Sequence, residues 1–416
     1  MNAAKYFITA LAILASSSSL ADDLLIRGGT VHTLDQAGVL ENTDVLISDG
    51  VITDVGKGLS APEGAKVIDA NGRPVTPALF AGVSVIGLSE VELEASSVDS
   101  AIKGLAAPYM RPEFDVAPAY NPHSSLVPIT RVEGYGFTLL GATAGDSIIA
   151  GQGRMVRLDG DYASFVGDDV LFVVLGSSGS ELAGGSRAAQ WMQLEQAVAE
   201  AERAPRDGEP VLLTRQGRET LKQFKRGGTV VFKVNRASDI IQTIAFAQRH
   251  GFRAVIDGGA EAWMVAEELA AADVPVLLDP LVNLPGSFDS LGARLDNAAL
   301  LHAAGVEIGF SGAESHNARK TRQLAGNAVA HGLPWEAGLA AMTSSPSQIF
   351  GIDNGRIRSG AVADVVIWSG DPLEVTTAAD LVIMGGKEDS MTSRQTRLRD
   401  RYLPESPALP RAYIKP

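Results

Sequence analysis

Between residues 230 and 340 the chain alternates short β-branched runs with stretches whose apolar residues recur three and four positions apart. Val230–Val234 is a run of the first kind. "RASDIIQTIAFAQRHG" follows it, with Ile240, Ile241, Ile244 and Ala247 on one helical face and Ser238 or Asp239 placed to cap the start. "RAVID" then predicts a strand and "AEAWMVAEELAAAD" a helix. "VPVLLDP" and "VEIGFSG" predict strands, and "NAALLHAAG" and "RKTRQLAGNAVAHG" predict helices. The strand starts near 231, 254, 276 and 307 are spaced as βα units are, which implies a parallel sheet with helical crossovers. So long a series favours a closed (β/α)8 TIM-type barrel over an open doubly wound sheet. No G-x-G-x-x-G follows a strand, which argues against a dinucleotide site.

The two ends have a different texture. "DLLIRGGTVHTL", "DVLISDGVITDVG" and "AKVIDANGRPV" are short β runs divided by Gly28-Gly29, Asp49-Gly50 and Asn71-Gly72. "GRIRSGAVADVVIWSG" and "LVIMGGKE" near the other end match them. The pattern predicts that both ends build one small β-sandwich domain. Residues 88–165 are less periodic: a proline-rich polar stretch, expected as loops over one barrel face, then a strand near "FTLLGAT" and a strand or hairpin at "SIIAGQGRMVRLDG". Residues 188–204 predict an amphipathic helix from the spacing of Trp191, Leu194 and Val198. The domain reading is a leader at 1–21, a β part at 22–75, a barrel at 76–351, and the returning β part with a tail at 352–416.

The leader follows from Lys5, an apolar run over Tyr6–Ala15, and the small residues of Ser19-Leu20-Ala21, which together form a signal-peptide pattern with cleavage expected after Ala21. The apolar run is too short to span a bilayer, and no later segment reads as a membrane span. The expected location is the periplasm or outside the cell. There are no cysteines, hence no thiolate ligand, thiol nucleophile or disulfide. The formal charge of −14 becomes −15 once Lys5 is removed. That balance argues against nucleic acid and anionic membrane as partners.

In this order, "DLLIRGGTVHTLDQAGVLENTDVLISDGVITDVG", "VIDANGRPVTPALFAGVSVIG", "MTSSPSQIFGI" and "GRIRSGAVADVVIWSGDPLE" resemble the amidohydrolase superfamily, in its imidazolonepropionase-like branch. "NPHSSLVPITRVEGYG", "IIAGQG" and "SRQTRLRDRYLP" resemble a secreted bacterial subgroup. The resemblance covers nearly the whole chain after the leader. It implies a metallohydrolase barrel with a β-sandwich made from both chain ends. It also implies a divalent metal, often zinc, whose bound water attacks a C–N or similar bond, held by ligands at the C-terminal ends of strands.

The positions that match those ligands carry other chemistry. Strand one of the family reads His-x-His, where this chain has Val83 and Val85. The histidine of strand five falls on Lys233 or Asn235, a cation or an amide. The histidine of strand six falls on Gly258, and the aspartate of strand eight on Ser311 or Gly312. None of the six histidines restores the set. His32 lies in the β part, and His250, His302 and His331 lie near helix ends; only His123 and His316 are expected in loops above the barrel mouth.

The resemblance therefore implies a family member with a degenerate metal centre. No cofactor is expected; zinc or another divalent metal is the alternative. Val83 and Val85 are expected to point into the barrel and fill it. Asp257 beside Lys233 is expected to form a structural salt bridge, with general acid–base work as the alternative. Glu261 is expected to serve the dipole of its own helix. The function implied is a pseudoenzyme, acting as a binding or partner subunit with a small ligand in the barrel mouth, as a homo-oligomer or paired with an intact amidohydrolase. A hydrolase of non-peptide C–N bonds working through Lys233, Asn235, Asp257 and His316 is the alternative.

Overall fold

The computed structural model describes residues 23–105, 109–203, 205–206, 208–312 and 314–403. The proposed leader lies outside them. In chain order the terminal domain opens with β1 (Leu24–His32), β2 (Val39–Ser48), β3 (Val51–Gly56), β4 (Lys66–Asp69) and β5 (Pro74–Pro77). The barrel follows with β6 (Leu79–Ser84), β7 (Tyr135–Leu140), β8 (Ile149–Arg157), β9 (Phe165–Val174), β10 (Thr229–Val234), β11 (Arg253–Gly258), β12 (Val276–Leu278) and β13 (Ile308–Phe310). The chain then returns to the first domain with β14 (Val365–Trp368), β15 (Ala379–Met384) and β16 (Lys387–Glu388).

Both chain ends share one β domain, as expected, with its strands hydrogen-bonded in the order β16-β15-β14-β5-β1-β2-β3 and β4 beside β1. The first half of β1 pairs with β4 and its second half with β5, and its register against β2 breaks between Ile26 and Gly29. A Cβ at Gly29 would stand 2.6 Å from Val75 Cγ2, so the close approach of β1 and β5 requires glycine there. The sheet encloses one core that mixes Leu24, Ile26, Val45 and Ile52 with Ile357, Val365 and Ile383.

The barrel sheet runs in strand order from β6 to β13. All of its strands run one way except β8, which is antiparallel to both β7 and β9. The TIM-type barrel is as expected, and its one antiparallel strand falls in the segment 147–160 read as a strand or hairpin. The connections on either side of β8 are short and carry no helix, and only antiparallel neighbours can be joined so tightly. From β10 onward the βα repeat holds as the pattern predicts. The helix Arg187–Glu202 forms close to its expected bounds, with Leu194, Ala197 and Val198 buried.

Two features of this frame shape the mouth. β6 and β13 share no ladder, and the gap between them is bridged. At the base, Phe310 N–H donates to Ala341 O (3.2 Å) and Phe80 N–H to Met342 O (2.6 Å). At the mouth, Val83 N–H donates to Ser311 Oγ (3.0 Å) and Val85 N–H to Ser315 Oγ (2.8 Å). The long connection after β12 is pinned at Asp289, which accepts from Ser177 N–H at 2.7 Å and pairs with Arg187. Arg187 in turn reaches Asp239 at 3.0 Å. At the other end of the barrel, Arg157 on β8 forms a two-armed pair with Asp364, at 2.9 and 2.5 Å, and ties the barrel to the terminal sheet.

Candidate functional site

The C-terminal ends of the barrel strands surround a cavity of about 600 Å³. Val83, Val85, Lys233, Asn235, Asp257, Gly258, Ser311 and Gly312 all line it, so of the metal-position and catalytic candidates named from the sequence all but His316 converge on one site. This convergence follows from the fold: residues at matching heights on neighbouring parallel strands face one barrel end. Lys233 and Asp257 are Cα partners across β10 and β11, and Asp257 is the partner of Leu277 on β12.

Val83 and Val85 point inward, two residues apart on one face, as strand geometry requires. They do not fill the barrel, which corrects the expectation. Both are half-buried and pack against the cluster of Phe80, Leu139, Phe172 and Val231, leaving the space above them open. The floor of the cavity is therefore hydrocarbon.

The expected salt bridge between Lys233 and Asp257 is absent. The ammonium of Lys233 has no ion pair or hydrogen bond among the described residues and is exposed to the cavity. The four-carbon stem carries it out of reach of the short aspartate beside its root. Asp257 lines the cavity low on the barrel wall and is partly buried. That burial pushes its carboxyl above the usual aspartate range, and the positive charge of Lys233 opposes the shift without cancelling it.

His316 is not part of the cavity lining. It stands on the rim in a short 3-10 turn, half-exposed, with Nδ1 3.5 Å from Glu92 and Nε2 3.3 Å from Glu314. His123 is not above the mouth either. Its ring packs edge-on against Tyr162 at 5.4 Å, in the β8–β9 hairpin at the opposite end of the barrel. Glu261 serves a neighbour and not its own helix: it accepts from Ala237 N–H (3.1 Å) at the start of the helix Ala237–His250, and from Gly292 N–H (3.0 Å).

Two acidic residues of the lining were passed over in the sequence. Asp279 follows β12 and accepts from Leu281 N–H at 2.9 Å; burial raises its carboxyl, which that hydrogen bond opposes. Glu92 lies in the loop after β6. Asp279 was within reach, because "VLLDP" places an acid at the mouth end of a barrel strand. Nothing local marks Glu92.

The donor set does not fit a divalent metal. Among the described residues no group of three or more His, Asp or Glu side chains is arranged to hold one. Valine side chains offer no lone pair, and an ammonium repels a cation. Gly258 is committed to its own role. It sits at φ +108°, and a Cβ there would lie 2.6 Å from Asn235 Oδ1, so histidine does not fit without moving Asn235. Gly312 has open space around it, with nothing nearer than 3.9 Å to an added Cβ.

Residues 307–388 match the sequence profile of the amidohydrolase family. The fold is similar to that of an amidohydrolase from Thermotoga maritima, with a TM-score of 0.77, 22% identity, and coverage of 88% of this chain and 99% of that one. It is also similar to a triazine hydrolase from Arthobacter aurescens, with a TM-score of 0.54, 16% identity, and coverage of 91% and 98%. At these identities the likeness shows the fold alone. By sequence, a dihydroorotase of Citrifermentans bemidjiense is 54% identical over 58 residues, and an amidohydrolase of Hapsidospora irregularis is 39% identical over 89 residues. These stretches are 14% and 20% of this chain, and only 13% and 9% of the relatives. The profile match is thus confined to residues 307–388, and over the rest of the chain the likeness is one of fold.

The state of Asp257 yields a prediction. Its folded pKa lies above its unfolded value, so its contribution to stability is fully present below the unfolded pKa of about 4 and is lost as pH rises through the folded value. Asp257→Asn removes the cost of an ionised buried carboxylate. Thermal unfolding is expected to show the variant melting above the wild type at pH 7, with the difference shrinking toward pH 4. A variant that melts lower at pH 7 would show that the attraction of Lys233 outweighs the burial.

Proposed function

We propose that this is an exported amidohydrolase-fold protein that works without a metal, holding a small molecule in the barrel cavity as a binding or partner subunit. One observation carries the reading. The positions that match the family's ligands, Val83, Val85, Lys233 and Gly258, all line the one cavity without offering a metal-ligand set, and two of them are structurally committed: Val83 to the apolar cluster beneath it and Gly258 to contact with Asn235. A cavity of about 600 Å³ with an apolar floor and a few polar groups has the size and character of a small-molecule site.

The alternative is hydrolysis of a non-peptide C–N bond by Lys233, Asn235 and Asp257, with His316 at the rim. The short matches to a dihydroorotase and to an amidohydrolase, and the raised carboxyl of Asp257, favour it. The metal-free reading accounts better for the floor, because that chemistry in this superfamily is built around a metal-bound water. The charge of −14 and the signal-peptide pattern of residues 1–21 support a periplasmic or secreted protein without a nucleic-acid partner. No helix among the described residues is long and apolar enough to cross a membrane.

Protein purified from zinc-supplemented medium is expected to hold far less than one metal per chain by elemental analysis. Chelation is expected to leave its Tm unchanged, because no native-state metal binding is lost. Stoichiometric metal removed together with stability would return the protein to the metallohydrolases. Mass spectrometry of the exported protein is expected to place its N-terminus at or near Asp22. A cytoplasmic product beginning at Met1 would contradict export.

A further inference from the structure

We propose that Lys233 captures an uncharged aldehyde or ketone as a covalent imine in the barrel cavity, with Asp257 supplying the proton that releases water. The proposal rests on the reading of the cavity as a ligand site and adds the ligand's chemical class and the bond that holds it.

The geometry points to this pair. The root of Lys233 is fixed on both sides, by Val174 on β9 and by Asp257 on β11, and its carbonyl accepts from Leu175 N–H at 3.0 Å. Its ammonium has no hydrogen bond or ion pair among the described residues. The amine is therefore open to the cavity and, among the described residues, not engaged by a carboxylate that would hold it away from a ligand. Asp257 stands one strand away, about 5 Å at the backbone. Val83, Phe172, Val174 and Val231 supply hydrocarbon to the wall of the same cavity. Such walls keep bulk water from hydrolysing an imine and accept an apolar ligand body.

The charges select the class of carbonyl. Glu92 and Asp279 line the same cavity, and the chain carries −14. Anionic keto acids are therefore disfavoured, and a neutral carbonyl compound with an apolar body fits.

The step balances. The ammonium of Lys233 passes a proton to the Asp257 carboxylate as the flexible stem swings toward it. The free amine adds to the carbonyl carbon, giving a carbinolamine after proton transfer from nitrogen to oxygen. The Asp257 carboxylic acid then protonates the departing hydroxyl, the C–O bond breaks, and water leaves. The products are an iminium on Lys233 and a carboxylate on Asp257, so the pair carries the same net charge as at the start. A carboxyl raised by burial above the ordinary aspartate range holds a proton more readily than a free one, which suits this exchange.

The test exposes the full-length exported protein to benzaldehyde with sodium cyanoborohydride, which reduces an imine to a stable benzyl amine, and maps the adducts by peptide mass spectrometry. Lys233 is expected to be labelled ahead of exposed lysines such as Lys222 and Lys387, and the preference is expected to vanish in denaturant. Asp257→Asn is expected to slow labelling at Lys233 by about a hundredfold while leaving the surface lysines unchanged. Lys233→Arg is expected to abolish the barrel adduct. Benzyl alcohol, which lacks the carbonyl, is titrated in parallel by calorimetry. Labelling of Lys233 no faster than of Lys222 overturns the covalent step, and saturable binding of benzyl alcohol in that case leaves the cavity reading intact. Failure of both binding and trapping counts against both.

Discussion

The amide of Val83 donates to Ser311 Oγ, and the amide of Val85 to Ser315 Oγ, across the one junction in the barrel where no ladder forms. The backbone of the first strand must satisfy its donors at the mouth, and two hydroxyls from beyond the last strand do so. Ser311 is at the position where the resemblance implies an acidic ligand. A hydroxyl there can serve the seam without bringing a charge, and the two valines it helps to place then form the floor. The closure of the barrel and the hydrocarbon character of its floor are thus consequences of the same few side chains.

Above that floor the cavity is left electrostatically unfinished. Lys233 has no hydrogen bond or ion pair among the described residues, and the carboxyls of Asp257 and Asp279 are both raised by burial. Two other charged groups of the barrel are engaged. Arg157 holds Asp364 with two arms, and Arg187 is shared between Asp239 and Asp289. Those pairs lock the barrel to the terminal sheet and the long loop to the mouth. The contrast marks the cavity as the place where the protein keeps its polar groups available.

Much of this was legible in the chain, and the limits have physical causes. Each βα unit from β10 onward carries its own period and caps, so the repeat could be read locally. The direction of β8 could not, because alternation is the same for parallel and antiparallel strands and only the length of its connections decides. Strand pairing across the whole chain hid the strand order of the terminal sheet in the same way, since nothing within β1 states that its two halves have different neighbours. At the site, matching heights on parallel strands made Lys233, Asp257 and Gly258 predictable as neighbours. Whether the first two touch depends on side-chain reach, which sequence does not express. His123 fell at the wrong end because the loops before β7 run the full height of the barrel, and Glu92 was missed in the same irregular stretch. Asp279 was available to a closer reading, as the acid that ends an apolar strand.

The account requires that strand one be fastened by serines and not by a metal. Amide hydrogen exchange at Val83 and Val85 in chelator-treated protein measures this directly. If Ser311 and Ser315 hold the seam, both amides exchange as slowly as those of β10 and β11 in the barrel wall. Exchange at the rate of the surrounding loops, slowed only when a divalent metal is returned, would show that a metal closes this barrel and would contradict the account.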